Sequence, residues 1–265
     1  MTSTTRAGHT VGAAEVLVEQ SGPVRWLYLN RPERRNALTP TLISTLSTEL
    51  AEAMADTATG AVVIAGRGAS FCSGADLRYL LQLCESGGEP RDFLATIWEC
   101  FTRIETAAKP VVAALHGHAV AGGLELALAC DVVVAQAGTL IGDGHVRTGL
   151  LPGGGASWRL PRKVGEPLAR WLMLTGELLP AERFVANGFV HSVVAPQQFR
   201  HDVAAVAARL AGIADGLPGR VKELLHRSDR PSPADAQAGE LDIFARHWHD
   251  HDIGAGLRRF LNRGG

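Results

Sequence analysis

The segment from Lys109 to Leu126 constrains this chain more than any other part of the sequence. An apolar run rich in β-branched residues leads through small residues to Gly122-Gly123, and a helix-forming run, LELALAC, follows. Such a turn exposes backbone N–H groups at a helix N-terminus, where the aligned peptide dipoles favour negative charge. Glu125 lies three residues after Gly122, so on a helix its carboxylate projects from the same face. The segment therefore predicts an N–H group that holds a negative oxygen beside a potential base.

The composition limits the classes of protein to which the chain can belong. Hydrophobic residues make up 46% and charged residues 20%, and the 26 basic and 27 acidic residues give a net charge of −1. These values are typical of a folded chain with one large domain, and they indicate neither a nucleic-acid partner nor an electrostatic membrane partner. The N-terminus lacks an apolar signal core and no run is long enough to cross a bilayer, which predicts a cytoplasmic protein.

The four cysteines show no paired C-x-x-C spacing. Cys72 and Cys130 have apolar or small neighbours in the sequence and are expected to pack as buried thiols. We therefore expect neither a disulfide nor a metal site.

Strand-like and helix-like runs alternate along the first three quarters of the chain, which predicts an α/β class with buried strands. The composition changes near Pro196, after which the pattern is mostly helical. We therefore expect a flexible N-terminus at residues 1–13, an α/β core at 14–195 and a helical region at 196–265. A hinge is predicted at Ser228–Ala234 because its two prolines exclude regular pairing. The predicted strands are Val24–Asn30, Ala61–Ala65, Val111–Leu115, Val132–Ala135 and Phe189–Val194.

The chain resembles the crotonase family, the enoyl-CoA hydratases and isomerases, over most of its length. The residues that carry the resemblance are Asn30-Arg31-Pro32-Glu33 with Asn36-Ala37-Leu38, Phe71-Cys72-Ser73-Gly74-Ala75-Asp76-Leu77, Lys109 through Asp131, Gly149-Leu150-Leu151-Pro152-Gly153-Gly154-Gly155, and more weakly Asp252 to Gly256 with Phe260-Leu261. The resemblance implies a spiral of ββα units, with a C-terminal helical region that mediates trimer contacts. It also implies an acyl-CoA substrate, with coenzyme A as part of the thioester and no separate cofactor, and a homotrimer or a dimer of trimers.

The family binds the thioester oxygen with two backbone N–H groups, which in this chain would be those of Ala75 and Gly122. Fixed donors of this kind stabilise an enolate without reorganising at the moment of reaction. Taken singly, the glycines at 74 and 122–123 are better explained by tight turns and close helix packing, whereas together, at family spacing, they favour the oxyanion hole.

In hydratases of the family two glutamates flank the double bond, and the first corresponds to Glu125. Counting without a gap to the Gly149 motif, the second position is occupied by His145, which departs from the family pattern. An imidazole can act as acid or base near neutrality, so His145 is our second catalytic candidate. Asp143 could orient this imidazole or itself be the acid, and Arg147 could hold a substrate carboxylate. The alternative is a loop histidine without a catalytic role.

Other residues are expected at the substrate from the resemblance alone. Arginines on the surface are ordinarily solvated, and a tryptophan is ordinarily part of the core. His118 is expected along the CoA channel, and Trp158 would narrow the acyl pocket. The full set is Arg34, Ala37, Ser73, Asp76, Leu77, Arg78, His118 and Trp158.

The function predicted first is an enoyl-CoA hydratase-like lyase that uses Glu125 and His145. The alternatives are an isomerase that uses Glu125 alone, a C–C hydrolase or decarboxylase of the same superfamily, and a catalytically weak acyl-CoA-binding protein. The sequence leaves open the acyl chain length, the pathway, whether CoA or an acyl carrier protein carries the substrate, and whether the assembly is a trimer or a hexamer.

Overall fold

The computed structural model describes residues 14–213, 217–226, 233–250 and 252–262. The strands are β1 (Val16–Ser21), β2 (Val24–Leu29), β3 (Ala61–Gly66), β4 (Val111–Leu115), β5 (His118–Val120), β6 (Val132–Gln136), β7 (Leu140–Gly142), β8 (Leu179–Pro180) and β9 (Ser192–Val194). The α-helices are α1 (Pro40–Ala55), α2 (Leu77–Glu85), α3 (Arg91–Glu105), α4 (Gly122–Ala129), α5 (Ala156–Val164), α6 (Glu166–Thr175), α7 (Phe199–Ala211), α8 (Leu217–His226), α9 (Pro233–Asp250) and α10 (Ile253–Asn262). Short 3₁₀ helices lie at Pro32–Arg34, His145–Thr148 and Ala181–Phe184.

Six strands form the main sheet in the order β1-β2-β3-β4-β6-β9. β1 and β2 form an antiparallel hairpin, and the other neighbours pair in parallel. Parallel neighbours need crossover connections, which the helices supply: α1 joins β2 to β3, and α2 and α3 join β3 to β4. β4 is buried along its whole length, as expected for a strand covered on both faces.

The two faces of the main sheet are covered by different helices. Leu27 and Leu29 of β2 belong to the larger apolar core, which includes buried side chains of α1, α3 and α4. Trp26 and Tyr28 alternate with them and face the opposite side, where they share a second cluster with Val203 of α7. This alternation is the period-2 pattern of a strand, and it places α4 inside the larger core.

A second, three-stranded sheet has the order β5-β7-β8 and carries the chain into α4. β5 and β7 are parallel, and the residues after β7 form the 3₁₀ helix that begins at His145. Two isolated bridges join neighbouring segments, Leu38 with Ala75 and Cys72 with Ala119. These bridges bring three of the sequence motifs to one place in the fold.

The predicted α/β class is confirmed, and β2, β3, β4 and β6 lie where strands were expected. The strand expected at Phe189–Val194 is shorter, since only Ser192–Val194 pairs. The strand pattern missed β1, whose exposed residues are partly polar, and β5, β7 and β8, which are two or three residues long. Such short strands form only because a neighbouring strand supplies their hydrogen bonds.

Some expectations concern residues that the structure does not describe. The flexible N-terminus at residues 1–13 and residues 228–232 of the predicted hinge lie outside the described residues, and α9 begins at Pro233. The division of the chain at residues 195 and 196 stays a prediction. No helix among the described residues is long and apolar enough to cross a membrane.

Candidate active site

The N-terminus of α4 presents the N–H of Gly122 through an unusual backbone. Ala121 precedes the helix with φ 51° and ψ −120°, a conformation that non-glycine residues rarely adopt. Its carbonyl still accepts the first helical hydrogen bond, from the N–H of Glu125 at 2.9 Å. Gly122 is therefore the first residue of the helix, where backbone N–H groups have no partner within the helix itself.

The second predicted donor, the N–H of Ala75, is positioned by the bridge to Leu38. Leu38 N–H donates to the Gly74 carbonyl at 2.8 Å, and Asp76 N–H donates to the Leu38 carbonyl at 2.9 Å. Because residues on either side of Ala75 make these bonds, its own N–H points away from Leu38. A Cβ added to Gly122 would lie 3.4 Å from the Ala75 nitrogen, so the two predicted donors are neighbours.

Neither of these two N–H groups donates to another group among the described residues. The glycine at position 74 is required by its backbone, since its φ is 97° and a Cβ there would lie 3.2 Å from the Gly122 nitrogen. The structure therefore brings the Phe71–Leu77 and Lys109–Asp131 motifs together, with two N–H groups side by side; their role as donors to a substrate oxygen stays a prediction.

Glu125 lies one helical turn beyond Gly122, and its side chain is almost completely enclosed, with 2% of the residue exposed. One carboxylate oxygen, Oε1, accepts hydrogen bonds from the N–H of Gly154 at 2.9 Å and from the N–H of Ala156 at 3.0 Å. Ala156 is the first residue of α5, so the carboxylate also lies at a helix N-terminus. The sequence analysis used the glycine turn only as a motif of the resemblance and did not predict this contact with the candidate base.

His145 begins the 3₁₀ helix after β7, and its ring is held by Asp143. The Nδ1 atom lies 3.0 Å from Asp143 Oδ2, and the His145 backbone N–H donates to Asp143 Oδ1 at 3.3 Å. Asp143 is 1% exposed, and Gly144 between them has a left-handed φ of 68°. A neutral imidazole that donates from Nδ1 carries its lone pair on Nε2, so this pairing fixes which nitrogen can act as a base.

Asp76 is used by the fold. Its Oδ1 caps α2 by accepting from the N–H groups of Arg78 and Tyr79, at 3.0 and 3.4 Å. Its Oδ2 lies 2.9 Å from Nη2 of Arg31, whose Nη1 donates to the Ala37 carbonyl at 2.7 Å. Arg31 thus connects the segment that contains Leu38 to the segment that contains Ala75, a role that the sequence patterns did not indicate. Substrate contact by Asp76 stays a prediction.

The remaining predicted substrate residues lie around the same loops. Arg34 and Arg78 are exposed, Ala37 is buried, and Leu77 begins α2. The Ser73 backbone N–H donates to the Arg35 carbonyl at 3.0 Å. Their contact with a substrate stays a prediction.

The last two predicted substrate residues, His118 and Trp158, both contact protein groups. The Nδ1 atom of His118 lies 3.1 Å from Ser70 Oγ, and burial together with the charge of Arg35 lowers the pKa of His118. Trp158 is buried on α5, with the guanidinium carbon of Arg162 3.4 Å from the centre of its ring. Their contact with a substrate also stays a prediction.

All four cysteines are free thiols, and Cys72, Cys100 and Cys130 are buried. The pKa of the Cys72 thiol is raised to about 12, mainly by burial; the hydrogen bond from the Gly74 N–H opposes the change, and the nearby Glu125 carboxylate adds to it. Among the described residues, no three histidine, cysteine, aspartate or glutamate side chains are arranged to hold a metal ion.

Comparison with known proteins places this geometry in a family. The family model described as enoyl-CoA hydratase/isomerase matches residues 19–265. A probable enoyl-CoA hydratase of Rhizobium meliloti (strain 1021) is 34% identical over 246 residues, covering 93% of this chain and 94% of the relative. A crotonyl-CoA hydratase of Syntrophomonas wolfei subsp. wolfei is 31% identical over 250 residues, covering 94% and 95%.

Solved structures agree with the sequence comparisons. An enoyl-CoA hydratase from Mycobacterium avium subsp. paratuberculosis K-10 superposes with a TM-score of 0.83 at 28% identity, covering 92% of this chain and 98% of that one. The fold is therefore the crotonase fold. From the family model, the relatives and the structure together, this chain belongs to the enoyl-CoA hydratase/isomerase family, the crotonase family.

Proposed function

We propose that the protein is a hydratase-like lyase that adds water to the double bond of 2-enoyl-CoA thioesters. The observation that carries the proposal is the pair of neighbouring N–H groups at Ala75 and Gly122, with the Glu125 carboxylate one helical turn away. Donors of this kind are worth about 3 kcal/mol of barrier each when they bind the oxygen on which negative charge develops.

The chemistry follows from the positions of these groups. The thioester oxygen accepts hydrogen bonds from the two N–H groups, so that it can take up negative charge as the oxygen of water bonds to C3. Glu125 accepts a proton from that water, and a proton is added at C2 as the enolate collapses to the 3-hydroxyacyl product. The contacts from Gly154 and Ala156 support this role, because they hold one carboxylate oxygen in a fixed direction.

His145 supplies or positions the C2 proton in this proposal. Its pairing with Asp143 supports the assignment, since a buried carboxylate that accepts from one ring nitrogen fixes the orientation of the other. The same contact favours Asp143 as the orienting group over Asp143 as the acid. In the proposed reaction the His145–Asp143 pair replaces the second glutamate.

The substrate carrier and the assembly belong to the proposal. The relatives are named as enoyl-CoA and crotonyl-CoA hydratases, which supports CoA as part of the substrate. A homotrimer or dimer of trimers, with the C-terminal helices in the contacts, is proposed from the family resemblance.

The test is incubation of the purified protein with 2-enoyl- and 3-enoyl-CoA thioesters in oxygen-18 water, followed by mass spectrometry. We expect a labelled 3-hydroxyacyl product from the 2-enoyl substrates. Conversion of 3-enoyl to 2-enoyl thioesters without label would contradict hydration. No change in any substrate would favour a hydrolase, a decarboxylase or a protein that only binds acyl-CoA.

An isomerase that uses Glu125 alone is the second candidate. The observation that favours it is that the N–H groups of Gly154 and Ala156 hold the Glu125 carboxylate in a fixed direction, which is sufficient for chemistry with one base. A single carboxylate can remove a proton from C2 and return it at C4, whereas hydration requires a second group to act on water or on C2. The same isotope experiment separates the two reactions.

A further inference from the structure

Arg159 on α5 is the largest fully buried side chain among the described residues and has no role in the chemistry proposed above. Only 1% of this arginine is exposed, and a buried charge is costly unless it is paired and hydrogen-bonded. It is paired with Glu105 of α3, whose Oε2 accepts from Nε at 3.2 Å and from Nη2 at 3.1 Å. Nη2 also lies 3.3 Å from Thr102 Oγ1, and the guanidinium carbon lies 4.9 Å from the ring centre of Trp98.

The remaining arm of the guanidinium group reaches the glycine turn. Nη1 donates to the Gly154 carbonyl at 3.0 Å, while the N–H of the same residue donates to Glu125. Gly155 has a φ of 107°, and a Cβ added there would lie 2.0 Å from Nη1. The guanidinium group therefore occupies the space that a side chain at position 155 would fill, and it packs directly against the turn.

The effect of Arg159 on Glu125 is one of geometry. Its positive charge is balanced by Glu105, so the pair adds no net charge next to the turn. What the pair supplies is a rigid connection from α3 through Arg159 to the peptide groups at 154–156, whose N–H groups fix the candidate base. A displacement of about 1 Å at such a base can lower a rate by about 100-fold.

We propose that Arg159 is a positioning residue that orients Glu125 through the backbone of Gly154 and Ala156. The proposal rests on the proposed function only in naming Glu125 as the base. The contact between Arg159 and the glycine turn is independent of the reaction that the protein catalyses.

Three variants separate geometry from charge. Arg159→Lys keeps a positive charge for Glu105 but lacks the planar fork that reaches both Glu105 and the Gly154 carbonyl. Arg159→Met removes the positive charge that balances Glu105. The double variant Arg159→Met with Glu105→Met removes both charges, and replacing a whole buried pair by apolar residues is often neutral for stability. Arg25→Met is the control, since Arg25 is also largely buried and paired with Glu49 and Glu52, but on β2 and α1.

The measurements are amide hydrogen exchange of the 153–156 segment in the free protein, and kcat and KM for the enoyl-CoA substrate. In Arg159→Lys and in the double variant we expect faster exchange at 153–156, a fall in kcat of about 100-fold and a KM within about twofold of wild type. The double variant should unfold at a temperature close to wild type, and Arg25→Met should lower that temperature without changing kcat.

Unchanged exchange at 153–156 and unchanged kcat in the double variant would overturn the proposal. A loss of kcat that was proportional to the loss of thermal stability in all four variants would also overturn it, because a residue with only a structural role gives that pattern. If the wild-type protein hydrates no enoyl thioester, the proposed function fails, and the exchange experiment still decides whether Arg159 holds the turn.

Discussion

Single residues set the geometry of the candidate site through their backbone conformations. Ala121, with φ 51° and ψ −120°, turns the chain just before Gly122, whose N–H is a neighbour of the Ala75 N–H. A non-glycine residue in such a conformation costs on the order of 1–3 kcal/mol, and the surrounding structure must hold it there. Backbone strain next to a pair of aligned donors is consistent with a site built to bind a negative oxygen.

The first prediction concerns the carboxylate itself. Glu125→Gln keeps the shape of the side chain, and the amide oxygen can still accept from the N–H groups of Gly154 and Ala156. We therefore expect turnover to be lost while the fold and the affinity for CoA stay largely intact. Steady-state kinetics, circular dichroism and calorimetric titration with CoA measure these quantities. Turnover at the wild-type rate would rule out Glu125 as the base.

A second prediction concerns His145 and Asp143, the residue that holds its ring. His145→Ala should lower kcat by more than about tenfold, because a positioned acid or base typically contributes 100-fold or more. Asp143→Asn should also lower kcat, since an amide can donate to the ring and stabilise the wrong tautomer. Kinetics on both variants provide the measurement, and a wild-type rate in His145→Ala would show that the histidine has no catalytic role.

The third prediction concerns pH and His116, whose Nε2 lies 3.0 Å from the Gly68 carbonyl. Burial lowers the pKa of His116 below 6.5, and the contact with Gly68 only partly opposes this. The unfolded chain therefore binds more protons than the folded one between the folded pKa and 6.5, and stability falls as the pH drops through that range. His116→Asn should reduce the loss of unfolding free energy between about pH 7.5 and about pH 5.5.

Urea unfolding at both pH values is the measurement for His116. The same substitution at His191, an exposed histidine, is the control. If the unfolding free energy of His116→Asn changed between the two pH values as much as that of the wild-type protein, this ring would not contribute to the pH dependence. His118, whose pKa is also lowered by burial, should retain part of the effect in the variant.

At the scale of elements, the site depends on where helices begin. α1 begins at Pro40 after Thr39, whose hydroxyl accepts from the Leu42 N–H at 3.0 Å. α2 begins after Asp76, and α5 begins at the turn that binds Glu125. The first N–H groups of a helix need hydrogen-bond acceptors outside the helix, and Glu125 accepts from two N–H groups where α5 begins.

The prediction at this scale concerns the cap of α2. Asp76→Ala removes both the cap of α2 and one of the two carboxylates paired with Arg31, so we expect a loss of about 1–2 kcal/mol of unfolding free energy from the cap alone. Activity should fall as well, because Asp76 adjoins the Ala75 donor. Asp76→Asn retains a capping oxygen and is the matched control. Denaturant unfolding measures the effect, and equal stability in the two variants would contradict a capping role.

At the scale of the whole molecule, α8 is joined to the core by a buried charge. Nζ of Lys222 lies 2.8 Å from Asp131 Oδ2 and 3.2 Å from the Ile104 carbonyl. Asp131 also accepts from the Val111 N–H at the start of β4, at 2.7 Å. One ion pair thus connects α8, α3 and the centre of the main sheet.

Breaking this pair should destabilise the entire fold. Lys222→Met removes the cation beside the Asp131 carboxylate, whose side chain is 26% exposed, so we expect a loss smaller than the about 3–5 kcal/mol that is typical of a fully buried pair. The double variant with Asp131→Asn should recover most of that loss, since no charge is left unpaired. Urea unfolding of both variants is the measurement, and a double variant as unstable as the single one would contradict the account.

The sequence predicted the parts of the site whose residues are close along the chain. Gly122 and Glu125 are on one helix, and Asp143 and His145 are two residues apart, so local geometry was enough to predict that each pair could interact. Arg159 and Glu105 are 54 residues apart, and Arg31 and Asp76 are 45 apart. These partners could not be predicted because no local pattern indicates which distant residues a fold will bring together.

The sequence by itself determined the family, the α/β class and the residue types able to hold an enolate and move a proton. The motifs carried the family resemblance and the strand and helix periodicity indicated the α/β class, and both are local properties of the chain. Only the tertiary structure decided that the Ala75 and Gly122 N–H groups are neighbours and that the Gly153–Gly155 turn binds Glu125. The reason is that burying a polar group requires a partner at about 3 Å, and folding alone determines which distant residue supplies that partner.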